Sequence, residues 1–142
     1  MKHLIAIVGI LLCSAASLAQ QEGDVANIEA LLVESYVEGI YKSRDEEAVR
    51  KGFHPDFVMH VLDDGHLIQA PLDMWLERLQ LDGTSNTTPY SHSFESVDVT
   101  GNTATVKMQI YEDSRHLYTD YFGLYKFADG WMIVNKIFYG HD

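Results

Sequence analysis

The chain has 142 residues, room for one domain of ordinary size and too little for two. With 46% hydrophobic and 22% charged residues, 10 Gly and 3 Pro, it has apolar material for a core, which excludes disorder, a collagen-like repeat and a disulfide scaffold. Ten basic against 21 acidic residues give a formal net charge of -11, a field that repels phosphate backbones and anionic lipid and so excludes nucleic acid as a partner.

Lys2 and His3 open the chain, and the apolar run Leu4 to Leu12 follows them. Ser17 and Ala19 then stand at positions -3 and -1 of a cut before Gln20. This is the pattern of a secretory signal peptide, and it predicts a leader over residues 1–19, a domain over 20–142 and a secreted or periplasmic destination. The run is too short to span a bilayer and no later stretch competes with it, so no membrane span is expected. A lipid anchor at Cys13 is disfavoured because the preceding residue is the bulky Leu12. Cys13 is the only cysteine, so the domain after the leader has no disulfide and must be held by its own core.

Asp24 is placed to cap a first helix with the stripe Val25, Ile28, Leu32, Ser35 or Tyr36, and Gly39 or Ile40. Ser43-Arg44-Asp45-Glu46 is a capping-box pattern for a second helix, led by acids, closed by Arg50 and Lys51, and stopped by Gly52 in a left-handed conformation. The period then changes to two. Phe57 to Leu62 and Leu67 to Ala70 flank Asp63-Asp64-Gly65, a hairpin signature. Pro71 opens a third helix with the face Leu72, Trp75, Leu76 and Leu79. The polar stretch from Gln80 to Pro89 is the longest loop and is expected as a mobile lid.

From Tyr90 to His141 the pattern gives four strands, with turns at Gly101-Asn102, near Asp113-Ser114 and at Asp129-Gly130. The middle strands, at about 33 Å, are long enough to predict a curved sheet. With two-residue turns, Val106, Met108, Thr119, Tyr121, Lys136 and Phe138 share one face, while Phe122, Leu124, Trp131, Ile133, Ile137 and Tyr139 share the other. A single bulge exchanges these faces within a strand. Both faces of the last two strands are apolar, so both need a cover: helices on one side and a second copy, in a homodimer through the sheet, on the other.

The element order, together with Phe53-His54-Pro55-Asp56, Gly101-Asn102-Thr103-Ala104 and the finish from Tyr118-Thr119-Asp120 to Asp129-Gly130-Trp131-Met132-Ile133-Val134-Asn135-Lys136, resembles the nuclear transport factor 2-like superfamily. Within it, the chain is most similar to the SnoaL-like, lumazine-binding subgroup. The resemblance implies an α+β cone in which three N-terminal helices pack on a strongly curved, mostly antiparallel sheet. It also implies a conical, largely apolar pocket between the two. It says little about activity, because the superfamily holds isomerases, dehydratases, cyclases and plain binding proteins.

His54 and Asp56 have the chemistry of a general base with an orienting carboxylate, and they equally make a good turn around Pro55. His60, in the first strand, is the other histidine candidate, because that strand lacks a carboxylate. For ligand binding the candidates are Tyr36 and Trp75 on helix stripes, with Glu95, Tyr121, Lys136 and Phe138 in the sheet. A buried Glu95 or Lys136 would need a partner of opposite charge. An Asp120-Lys136 pair is possible, but simple turns send the two to opposite faces. No H-x-x-x-H, no H-x-H and no cysteine after the leader provide metal-ligand spacing, and no nucleotide or cofactor motif is present, so neither metal nor cofactor is expected.

These observations favour an exported small-molecule-binding protein without established catalysis. The alternative is a cofactor-independent isomerase or dehydratase using a pocket His or acid as general base. A third reading is an interaction module presenting the apolar sheet face to another protein.

Overall fold

The computed structural model describes residues 19–141, so Cys13 and all but the last residue of the expected leader lie outside the described residues. Residues 19–42 form one continuous helix, α1, of which Val33–Lys42 is π-wound. Ile28, Leu32, Tyr36 and Ile40 are buried along it, the stripe that the spacing of apolar residues predicts. Asp24 does not cap this helix. It lies within it, buried, and accepts hydrogen bonds from Lys126 Nζ at 2.6 Å and Trp131 Nε1 at 3.0 Å. Those two donors hold its carboxyl below the usual carboxylate range and fasten α1 to the far end of the sheet.

The second helix, α2 (Glu46–Gly52), is capped by Asp45, whose carboxylate accepts from the N–H groups of Glu47 and Ala48. Ser43 turns back instead, its Oγ donating to the Glu38 carbonyl at 2.9 Å. Gly52 is not left-handed; Arg44, at φ 53°, is. Glycine is required at 52 by close approach, because a Cβ there would lie 2.1 Å from Ser35 Oγ and 2.4 Å from Ser35 Cβ. Gly52→Ala is therefore expected to destabilise the protein by about 1–3 kcal/mol through overpacking. Ser35→Gly should relieve that loss in the double variant, whereas Ser35→Ala should not, because it keeps the Cβ. Thermal unfolding of the set checks this, and rescue by Ser35→Ala would show that the hydroxyl alone is the obstacle.

β1 (Phe53–Asp63) and β2 (His66–Pro71) form the expected hairpin, with Asp64 and Gly65 at φ 45° and 78° in a turn whose twist matches the strands. α3 (Leu72–Leu79) follows Pro71 and buries Leu72, Trp75 and Leu76. The segment after it is anchored to the joint between α1 and α2: Gly83 N–H donates to the Arg44 carbonyl, Asn86 N–H to that of Lys42, and Arg44 Nε to Asp82. The stretch expected as a lid is thus strapped to the helices.

β3 (Tyr90–Thr100), β4 (Thr103–Glu112), β5 (Arg115–Phe127) and β6 (Gly130–Gly140) form a meander, and the sheet order is β2-β1-β6-β5-β4-β3. This corrects the expected fold in one respect. The protein is α+β with three helices, but its six-stranded sheet is open and mixed, with β1 running parallel to β6, and it is neither strongly curved nor closed. Strand length and the resemblance to a cone-shaped fold had both suggested the curve. Instead β2 and β3 remain free edges, and the long strands absorb their length in register shifts at Phe94/Ser96, Ile110/Tyr111 and Gly123/Leu124.

Those shifts also rearrange the faces. The extra residue Leu117 lets Ile110 pair with Tyr118, so Met108 meets Asp120 and Val106 meets Phe122. Past Leu117 the even-numbered Asp120, Phe122 and Leu124 therefore face the core, while Tyr121 and Tyr125 are exposed. A further shift at Val134 brings Trp131 and Ile133 inward in the first half of β6, while Lys136 and Phe138 stay on the core side in the second half.

Candidate functional site

Asp120 and Lys136 are both buried beneath α1. Tyr36 Oη donates to Asp120 Oδ2 at 2.8 Å and accepts from Lys136 Nζ at 2.7 Å. Nζ also stands 2.8 Å from Asp120 Oδ1 in a buried ion pair. Among the described residues Oδ1 has no partner but this ammonium. Tyr41 Oη lies 3.0 Å from Tyr36 Oη. The single proton of Tyr36 is committed to a carboxylate, the stronger acceptor, so Tyr41 is the donor in that contact.

The π-winding of α1 makes this tyrosine pair. Five residues overshoot the turn of about 3.6 residues in an α-helix. In a π-helix, bonded from i to i+5, they lie over one another. The backbone shows the wider spacing directly where Ser43 N–H donates to the Glu38 carbonyl at 2.7 Å.

Aromatic rings surround the lysine. Its Nζ is 4.7 Å from the centroid of Tyr36, 5.0 Å from Phe138, 5.6 Å from Trp75 and 5.7 Å from Phe122. Each ring face offers partial negative charge to the ammonium, in partial replacement of water. Burial nonetheless pulls the Lys136 pKa down, with Asp120 opposing that shift. Burial and the Asp120 charge push the Tyr36 hydroxyl far up, and burial pushes Tyr41 up as well. At neutral pH both tyrosines are neutral hydrogen-bonding groups.

A cavity of about 170 Å³ opens beside this cluster, lined by Tyr36, Ile40 and Tyr41 of α1, Trp75 of α3, and Lys136 and Phe138 of β6. An ammonium has three donors. Tyr36 takes one and the Asp120 carboxylate faces another, which leaves one for an occupant of the cavity. A larger recess of about 660 Å³ lies on the opposite face of the sheet, among Lys107, Tyr121, Tyr125 and Ile137. It has no converging buried polar groups, so the smaller cavity holds the chemistry.

A family model described as "Putative lumazine-binding" matches residues 23–139. The chain belongs to this family. No curated protein matches it. Among solved structures it is similar to a nuclear transport factor 2-like protein of unknown function from Silicibacter pomeroyi DSS-3, with a TM-score of 0.72 and 21% identity over 85% of this chain and 98% of that one. Similar proteins of unknown function from Shewanella baltica OS155 (TM-score 0.69, 21% identity, 87% and 96% covered) and Methylobacillus flagellatus KT (0.67, 20%, 84% and 94%) share the fold. The lumazine-binding family is a small-molecule-binding one, and here its member carries the aromatic cluster just described.

Of the residues singled out in the sequence, this family member brings Tyr36, Trp75, Lys136 and Phe138 together at the cavity. Glu95 is not with them: it is the extra residue of the β3 bulge and is exposed. Tyr121 is on the outer face and exposed, because the shift at Leu117 turned the odd residues of β5 outward. His60 borders the outer groove. His54 stacks on Phe127 at 4.9 Å, and its Nδ1 accepts from the Asp56 N–H at 3.1 Å while the Asp56 side chain faces solvent, so these two close the entry to β1 and do not reach the cavity. Asp120 and Tyr41 are the functional candidates that sequence reasoning set aside or missed. Among the described residues, no group of three or more His, Cys, Asp or Glu is gathered as metal ligands, and no helix is long and apolar enough to cross a membrane.

Proposed function

We propose that this chain is an exported binding protein for a small, flat, largely apolar molecule that carries a hydrogen-bond acceptor, held in the cavity between α1, α3 and β6. The observation that carries this reading is the buried Lys136, ringed by aromatic side chains and bordering a partly open cavity with one donor uncommitted. Burying a charge is costly, and a hydrophobic replacement would serve packing equally well or better. Retaining a cation there makes sense if it meets a ligand. A cavity of about 170 Å³ accepts a molecule near the size of benzene, since one of about 150 Å³ does so. Export rests on the leader pattern at residues 1–19.

The exposed Tyr121, Tyr125, Ile137 and Tyr139 on the outer sheet face support a homodimer closed through that face. Native mass spectrometry of the exported protein tests both parts. A dimer is expected, carrying retained mass that is lost in Lys136→Met, and Ile137→Glu should yield a monomer. An empty protein whose unfolding temperature no small aromatic carbonyl or carboxylate raises would overturn the binding reading.

A second reading, an isomerase or dehydratase that moves protons without a cofactor, is favoured by one feature. Asp120 Oδ1 is buried behind Tyr36 and Lys136, which line the cavity, and has no partner but the Lys136 ammonium, so Asp120 and not a histidine would be the base. Turnover of a candidate substrate that disappears in Asp120→Asn and persists in His60→Ala and His54→Ala would decide for it.

A further inference from the structure

We infer that Lys136 is a nucleophile that captures aldehydes or ketones in the cavity as a covalent imine. This rests on the binding reading above and goes beyond it, because it assigns the ligand a reactive carbonyl and the lysine a bond to it. The geometry has the three parts such a step needs. The amine borders a cavity large enough for a small carbonyl compound and walled by aromatic rings. Within 2.8 Å of Nζ is a carboxylate oxygen with no other hydrogen-bond partner among the described residues, free to take a proton. Within 2.7 Å is the Tyr36 hydroxyl, whose proton turns from Asp120 to the oxygen that the carbonyl becomes once Asp120 is protonated and that oxygen is the stronger acceptor.

The step balances on these groups alone. The ammonium passes one proton to Asp120 Oδ1, and the freed lone pair forms the C–N bond while the carbonyl π electrons move to oxygen. That oxygen takes a proton from nitrogen, relayed through Tyr36 Oη, to give the neutral carbinolamine. Asp120 then returns its proton to the hydroxyl, the C–O bond breaks, and water leaves. One iminium N–H remains on nitrogen. The product is a protonated imine facing the Asp120 carboxylate, so the buried charge pair is the same before and after. No oxidant, reductant or metal enters. Desolvation makes the ammonium easier to deprotonate than a surface lysine. The apolar walls also limit the water that would reverse the bond.

Benzaldehyde is a suitable probe because it is close to the size the cavity accepts. The whole protein is incubated with benzaldehyde at neutral pH, reduced with cyanoborohydride and digested, and benzylation is read at each lysine. Lys42, Lys51, Lys107 and Lys126 are partly or largely exposed and serve as internal controls. A lowered lysine pKa raises the free-amine fraction at neutral pH. Labelling at Lys136 is therefore expected to exceed that at every control site, and to vanish in Lys136→Met with the control sites unchanged. If that variant does not fold, the wild-type peptide map still decides. Benzyl alcohol, which has no carbonyl, separates the two proposals. If both compounds raise the unfolding temperature but Lys136 labels no faster than surface lysines, the imine is overturned and the cavity remains a binding site. If neither compound binds and Lys136 is unlabelled, both readings fall.

Discussion

Asparagine at Asp120 is expected to cost about 3–5 kcal/mol of folding stability, far more than a loss of one hydrogen bond, because it leaves Lys136 buried without a counter-charge. The double variant Asp120→Asn with Lys136→Met should recover most of that loss, since an apolar side chain in an aromatic cage needs no partner. Urea unfolding of the two single variants and the double gives the coupling directly. Additive single losses would mean that the 2.8 Å contact between Nζ and Oδ1 contributes little, and the account of the cluster as one unit would fail.

The same cluster sets a pH signature. Lys136 has a folded pKa below its ordinary value of 10.5, so the unfolded chain holds the extra proton between those two values. Stability therefore rises with pH across that window, and more steeply in Asp120→Asn, where the opposing effect of the carboxylate is gone. Above the ordinary tyrosine value of 10.0 the sign reverses. Tyr36 and Tyr41 stay protonated in the fold while the unfolded chain gives up those protons, and stability falls.

The helices, the hairpin and the meander were legible because each rests on local signals: a 3.6 or 2 periodicity, a proline before α3, and turn residues able to take positive φ at Asp64, Gly65 and Gly101. The site was half legible for a physical reason. Lys136 and Phe138 lie past every bulge on the side that simple alternation assigns them. Asp120 and Tyr121 lie just after the extra residue Leu117, where one inserted position exchanges the faces. Nothing local marks Leu117 as that residue. Its cause is non-local, since only with the shift do Asp120, Lys136 and Tyr36 meet on one side of the sheet. Tyr41 was missed in the same way, because a spacing of five means opposite sides on an α-helix and adjacency only after π-winding. The sheet's shape was misjudged from the resemblance to a cone and from strand length, which shows how far a strand runs but not whether its edges close.

Trp75→Ala is expected to cost about 3–5 kcal/mol and to change what the protein binds. The indole packs against Phe53 at 5.5 Å and Phe57 at 5.6 Å between ring centroids, lies 6.4 Å from Tyr36, and presents its face to Lys136 Nζ. Truncation removes large packing contacts and one of the four rings that stand in for water around the ammonium. It also joins the vacated space to the existing cavity, so the site gains volume on the side where β6 and its neighbours in the sheet hold the walls apart and cannot collapse inward. A small aromatic molecule should refill it. Added indole is expected to stabilise Trp75→Ala by about 2.7 kcal/mol when it is a hundredfold above its dissociation constant, and so to raise the unfolding temperature of this variant well beyond its effect on the wild type. Trp75→Phe should lose less and respond less to indole. If Trp75→Ala unfolds at nearly the wild-type temperature, or indole stabilises both proteins equally, Trp75 is not the wall between core and cavity, and the cavity's chemistry would have to be sought without it.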